Sequence, residues 1–251
     1  ITPHPTTIFL SVNKGASSFL TDDFAPAMMR VFPQLRHLAI AQQIINGIKP
    51  QELPIPPRDM IVTRMYPDVY DQLVEEPVPA AGRFADKKLV MLRRDPRDVA
   101  VSLYYSIRYS HTTRTRNRLH FLGRKAVLDD LDVAGGIAAI TYKPSIKQFQ
   151  ATVRFLKQHP HTCLTTYETL INDFPAWLAQ VQQYLGWSDE QATRIGGKLQ
   201  RAVKAPSRMR VSKHKRRVTP GNWREVFDDR LREIYQRLAG REMQAAGYTW
   251  D

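Results

Sequence analysis

Cysteine is nearly absent, with Cys163 the single example in 251 residues. An internal disulfide is thereby excluded, and a reducing, cytoplasmic setting is the expectation. No stretch approaches the ~20 uninterrupted apolar residues of a membrane span, so no helical crossing of a bilayer is expected. The seven histidines are scattered without zinc-like spacing, and no metal site is expected. Internal repeats and low-complexity tracts are missing as well. The sequence opens at Ile1 with no charged-then-apolar leader, which suggests that upstream residues have been lost.

Acidic side chains are also scarce beside basic ones: 24 Asp and Glu against 37 Lys and Arg, for a net charge of +13. Such a field draws in polyanions. The excess concentrates in residues 108–125 and 208–217, a pattern of basic loops around one anionic pocket more than of a continuous nucleic-acid track. A non-catalytic polyanion or nucleic-acid binder therefore stands as an alternative, although no nucleic-acid partner is expected. With 43% apolar residues the chain can bury a large core, and one domain over residues 1–251 is the expectation.

Strand-like and helix-like patterns alternate. Ile8 to Val12 reads as a strand closed by Asn13-Lys14-Gly15, and Phe19, Leu20, Phe24, Met28 and Val31 then recur at helical spacing despite Pro26. Met60 to Thr63 and Lys88 to Arg93 are two more strands, the first leading to a helix that Asp68 can cap. Asp95-Pro96 supplies a cap and a proline at the first helical position. Residues 110–136 read as an insertion or lid with a helical piece near Lys125. An amphipathic helix over Ser145 to Gln158 precedes a strand over Thr162 to Tyr167, and helical patterns then dominate. The order predicts an α/β fold with a mainly parallel central sheet flanked by helices, its ligands beyond the carboxyl ends of the strands.

The turn after the first strand suits an anion. Backbone N–H groups at a helix start attract phosphate, Gly15 and Ala16 allow close approach, Ser17 and Ser18 add hydroxyls, and Lys14 adds a mobile charge. Its lysine precedes the glycine and the serines, unlike the Walker arrangement, which weighs against a P-loop nucleotide kinase.

Lys14-Gly15-Ala16-Ser17-Ser18-Phe19 resembles the Lys-Ser-Gly-Thr-Thr-Trp loop of sulfotransferases that use 3′-phosphoadenosine 5′-phosphosulfate. Arg94-Asp95-Pro96-Arg97-Asp98-Val99-Ala100-Val101-Ser102 is similar to the family's Arg-Asn-Pro-Lys-Asp-Val-Ala-Val-Ser segment almost residue for residue. Arg216-Arg217-Val218-Thr219-Pro220-Gly221-Asn222-Trp223 resembles Arg-Lys-Gly-x-x-Gly-Asp-Trp, with Val218 at the expected glycine, and Tyr167-Glu168 resembles the family's Tyr-Glu pair. The resemblance implies a P-loop-like sulfotransferase fold and a cofactor set of Lys14, Gly15, Ala16, Ser17, Ser18, Phe19, Arg94, Ser102, Tyr167, Ser207, Arg216 and Arg217. Arg94, Ser102 and the Arg216-Arg217 pair would hold the 3′-phosphate, and Tyr167 the adenine, with adenosine 3′,5′-bisphosphate as product.

Sulfuryl transfer needs alignment and charge stabilisation, and Lys14 is the candidate for the leaving oxygen. The family's Lys-x-His after the second strand is replaced by Thr63-Arg64-Met65, so the general base must lie elsewhere. His37 is the leading candidate, with Asp68, Asp22 and His111 open beside it. Arg64 has two readings: a contact to the sulfuryl oxygens or acceptor, or a pair with Asp68. The acceptor, whether glycan, lipid, peptide or small molecule, is not specified by these residues.

Overall fold

The computed structural model describes residues 3–49, 52–67, 86–110, 118–203 and 219–250. In chain order, β1 (Thr7–Ser11) leads to a π-helical turn (Phe19–Phe24) that runs on into α1 (Ala25–Val31). Strand β2 (Arg36–Ala39), α2 (Ile40–Ile45), β3 (Met60–Met65) and β4 (Lys88–Arg93) follow. Next come α3 (Pro96–Tyr105), a π-helical extension (Ser106–Ser110), α4 (Arg118–Asp129) and α5 (Val133–Gly136). The chain continues through α6 (Tyr142–Gln158), β5 (Cys163–Thr166), α7 (Tyr167–Asn172), α8 (Phe174–Leu185) and α9 (Asp189–Val203). A 3₁₀ turn (Asn222–Glu225) and α10 (Asp229–Ala245) complete the described elements.

These residues form two compact units: residues 1–93 with 154–204, and residues 94–153 with 205–251. The first holds the sheet. Its described strands are all parallel, in the order β2-β3-β1-β4-β5. Thr7 pairs with Ile61 on one side and Lys88 on the other, so the chain leaves β1 for one side of the sheet and later returns to build the other. Reversals of this kind open a ligand crevice beyond the strand ends.

Both faces of this sheet are covered, and strict alternation shows it. Phe9, Ile61, Val90 and Leu92 join one core with Phe24, Trp177 and Trp187. Ile8, Leu10, Met60, Val62, Leu89 and Met91 join another with Ile40, Leu53 and Phe155. That two-sided burial explains why β1 and β4 read as unbroken apolar runs. Phe24, with no exposed surface, lies edge-on to Phe9 at 5.1 Å and Trp177 at 5.4 Å. Burying such a side chain is worth about 1.5–3 kcal/mol.

The second unit is helical. Leu231, Tyr235, Ala239 and Met243 make a four-residue-spaced stripe on α10 that packs with Tyr104, Leu128, Ile146, Phe149 and Trp223. Gly136 approaches Tyr104 so closely that a Cβ would lie 2.4 Å from its ring. In the segment read as an insertion or lid with a helical piece near Lys125, the described part is helical, and Leu128 of α4 is wholly buried in this core.

Candidate active site

The turn after β1 is tightly wound. Gly15 N–H donates to Val12 O at 2.8 Å, and a Cβ on Gly15 would sit 2.7 Å from Val12 Cγ2, so glycine is required for the chain to pass. Lys14 and Ala16 take left-handed backbone, with φ of 67° and 63°. Each such residue costs about 1–3 kcal/mol, a strain that folds tolerate mainly where a ligand is gripped. The helix opens at Ser17, and its first long turn closes with Leu20 N–H donating to Ala16 O at 3.1 Å. The amides of Ser17, Ser18 and Phe19 therefore belong to the orphan first turn, at the positive end of the helix dipole. Ser18 makes no side-chain cap bond, so capping does not use its hydroxyl. Lys14, Ser17 and Ser18 are half-buried. Such a donor set fits a phosphate or phosphosulfate oxygen. Phe19 turns the other way, its ring buried at 6.0 Å from Trp177, so it serves the turn through packing and backbone.

Three of the candidate polar residues meet in the first unit. His37 lies on β2 opposite Ile61, and its Nε2 is 2.8 Å from Thr63 Oγ1. Thr63 Oγ1 is in turn 2.9 Å from Thr21 Oγ1, in the π-helical turn. Arg64 Nε donates to Thr21 Oγ1 at 3.2 Å, and its guanidinium stands 3.7 Å from Asp22. Arg64 is thus paired with Asp22, while Asp68 lies outside the described residues. Burial lowers the pKa of His37, an effect that Asp22 opposes and Arg64 reinforces. A neutral, half-buried imidazole is the protonation state that a general base requires.

A defect in the sheet builds this cluster. Ile8 pairs with Val62 but Leu10 with Met65, so β3 carries one extra residue opposite Phe9. Arg64 takes the strain, with φ of 52°. Simple alternation would send Thr63 and Arg64 to opposite faces, whereas the bulge lets both reach Thr21. Neither the bulge nor β2 is signalled by composition. The left-handed arginine has no marker in a single sequence.

Tyr167 follows β5, where Thr166 pairs with Arg93 of β4. It is buried and opens α7, whose cap is Thr166 Oγ1 accepting Thr169 N–H at 3.1 Å. The tyrosine therefore stands at a carboxyl strand end, as expected from the sequence.

In the second unit, the Arg94–Ser102 segment is a cap followed by α3. Asp95 accepts the Arg97 N–H at 2.9 Å and grips the Arg97 guanidinium through two oxygens, at 2.9 Å and 2.7 Å. That guanidinium lies 3.7 Å from the Trp223 ring centre and 4.6 Å from that of Trp250, and donates to Thr249 O at 2.7 Å. Asp98 accepts N–H bonds from Gly221 at 2.7 Å and Trp223 at 3.0 Å. Burial raises its pKa, against the lowering effect of Arg94 and those two N–H groups. Arg94 is 6% exposed, and Ser102 sits half-buried within α3. Sequence reasoning missed Arg97 and Asp98, which tie the start of α3 to Gly221-Asn222-Trp223, the end of the third motif. Two charges at the start of an otherwise apolar helix were the available signal. Ser207, Arg216, Arg217 and His111 lie outside the described residues.

Residues 73–247 match the family model of the sulfotransferase domain. The chain belongs to that family. The matched stretch of this sulfotransferase contains Arg94, Ser102 and Tyr167, while the Lys14 turn and His37 precede it. Among solved structures, mouse sulfotransferase SULT7A1 complexed with PAP is similar at a TM-score of 0.55 and 16% identity, over 95% of this chain and 84% of that one. The likeness supports the P-loop-like sulfotransferase fold. The sulfotransferase domain from the curacin biosynthetic pathway matches at a TM-score of 0.46 and 15% identity over 100% of both chains. No curated protein sequence matches. Among the described residues no helix is long and apolar enough to cross a membrane, and no three His, Cys, Asp or Glu side chains gather as metal ligands would.

Proposed function

We propose that this sulfotransferase moves a sulfuryl group from 3′-phosphoadenosine 5′-phosphosulfate to a hydroxyl, with an amine as the less favoured acceptor. The Arg94–Ser102 segment carries the reading: it follows the family pattern and forms a capped helix, and in this reading Arg94 and Ser102 donate hydrogen bonds to the 3′-phosphate. The similar mouse enzyme complexed with PAP supports the same nucleotide. In this reading the chain works as one sulfotransferase domain in a reducing, cytoplasmic setting, as the lone buried Cys163 suggests.

The residues divide the work. The Ser17, Ser18 and Phe19 amides, the two serine hydroxyls and Lys14 grip the end of the nucleotide that bears the sulfuryl group, and Lys14 steadies the charge on the leaving oxygen. Arg94, Ser102, Arg216 and Arg217 hold the 3′-phosphate, while Tyr167 and Ser207 take the adenine side. His37 receives the acceptor's proton as the acceptor oxygen bonds to sulfur. The sulfur–oxygen bond to the phosphate breaks, and its electron pair leaves with adenosine 3′,5′-bisphosphate.

Thermal unfolding with adenosine 3′,5′-bisphosphate, ATP and AMP tests this. The bisphosphate should stabilise the protein by about 2.7 kcal/mol at a hundredfold excess over its dissociation constant, well beyond the other two. Arg94→Ala should erase that preference. Equal responses to all three nucleotides, with a steep salt dependence, would favour general polyanion binding.

A further inference from the structure

The hydrogen bond between His37 and Thr63 restricts how a base at this position can work. A neutral imidazole has one N–H and one lone pair, on different nitrogens. Nε2 is occupied by Thr63 Oγ1 at 2.8 Å, whichever of the two donates. A base must then act from Nδ1, which carries a lone pair only when the ring proton is on Nε2. Resting on the reading of His37 as base, we infer that Thr63 is its positioning residue. Its hydroxyl oxygen accepts the Nε2–H, fixes that tautomer and leaves Nδ1 to take the acceptor's proton.

The surrounding bonds fit this arrangement throughout. With Nε2–H donating to Thr63 Oγ1, the Thr63 hydroxyl donates to Thr21 Oγ1 at 2.9 Å, and Arg64 Nε–H donates to the same oxygen at 3.2 Å. Thr63 is fully buried, so its hydroxyl has little choice of partner. Alternation fixes its place: Met60 and Val62 pack on one face of the sheet, leaving Thr63 with Ile61 on the His37 face, and the bulge then brings Arg64 to the same cluster. Strain at Arg64 is the cost of that geometry. When Nδ1 takes the proton, the resulting imidazolium keeps its bond to Thr63, now charge-assisted, and faces Asp22 and Arg64 as its charged neighbours. The balance is complete: the acceptor oxygen gains sulfur, the leaving phosphate gains the electron pair of the broken bond, and Nδ1 gains the proton.

Isotope-edited NMR of the histidine ring nitrogens reads the tautomer directly, with the His37 signals assigned by their loss in His37→Asn. The expected result is a proton on Nε2 in the wild type above the ordinary imidazole pKa. Turnover is read as sulfate released from 3′-phosphoadenosine 5′-phosphosulfate, with water as acceptor. Thr63→Val should lower kcat by about tenfold or more, leave the KM for the donor unchanged, and move the acid limb of the kcat profile to lower pH. Thr63→Ser should restore both kcat and the acid limb. A proton on Nδ1 in the wild type, or Thr63→Val with wild-type kcat and pH limb while His37→Asn is inactive, overturns the role of Thr63 alone. Wild-type turnover in His37→Asn overturns the reading of His37 as base.

Discussion

Two polar clusters built from the same kinds of side chain behave in opposite ways. In the second unit Asp95 and Arg97 are 5% and 1% exposed, joined through both carboxylate oxygens and covered by two tryptophan rings. In the first unit Arg64 and Asp22 stand 3.7 Å apart with side chains 31% and 60% exposed, and beside them burial lowers the pKa of His37. The buried cluster offers a ligand little access, and its work is to hold α3 and the Gly221–Trp223 turn in place. The looser one keeps a titratable ring, a strained arginine and access to solvent. Enclosure suits a scaffold here, and exposure suits the chemistry proposed for His37.

Breaking the saturated pair should have the largest effect. Asp95→Ala leaves the Arg97 charge buried without its partner and removes the cap of α3, and should cost about 3–5 kcal/mol in chemical denaturation. An unchanged midpoint would mean that the pair is not structural. Lys14→Ala tests the other side of the contrast. It should lower turnover about 10²–10³-fold, well beyond its effect on bisphosphate affinity, with the unfolding midpoint close to wild type. If rate and stability fell together, the division between scaffold and chemistry would fail.

The smallest effect concerns a third polar site, in the first unit. His4 donates Nδ1–H to Pro5 O at 2.7 Å and accepts Trp187 Nε1–H on Nε2 at 3.3 Å, which leaves no site for a second proton. Burial lowers its pKa from 6.5. A depressed folded-state pKa means that the unfolded chain binds the proton first as pH falls, so the contribution is present above 6.5 and lost below it. Stability measured across this range should rise with pH, and His4→Gln should flatten the slope. An unchanged slope would assign it to other groups, His37 included.

Much of this was legible in the sequence. Lys88–Arg93 was readable to the residue because an unbroken apolar run bounded by charges has few other uses, and Asp95-Pro96 announces a helix start by its chemistry. The turn at Lys14 was readable because close approach and positive charge are properties of residue type. His37 was readable as a candidate, but not its partners, since the bond to Thr63 depends on a parallel pairing of distant segments, and the approach of Arg64 on one extra residue in β3. Arg97 and Asp98 escaped for a related reason: their partners Trp223, Trp250 and Gly221 lie far along the chain. Local chemistry can be read from sequence, whereas long-range pairing chooses which residues meet.

The position of β1 between β3 and β4 has a consequence for biosynthesis. Once made, β1 must wait with both edges open until residues 60–65 and 88–93 have followed, and β5 arrives only after residues 94–153, which belong to the other unit. Non-local pairing of this kind folds slowly and exposes apolar edges while it waits. The nascent chain thus carries unpaired strand edges during the interval in which its lysine turn has no sheet to stand on.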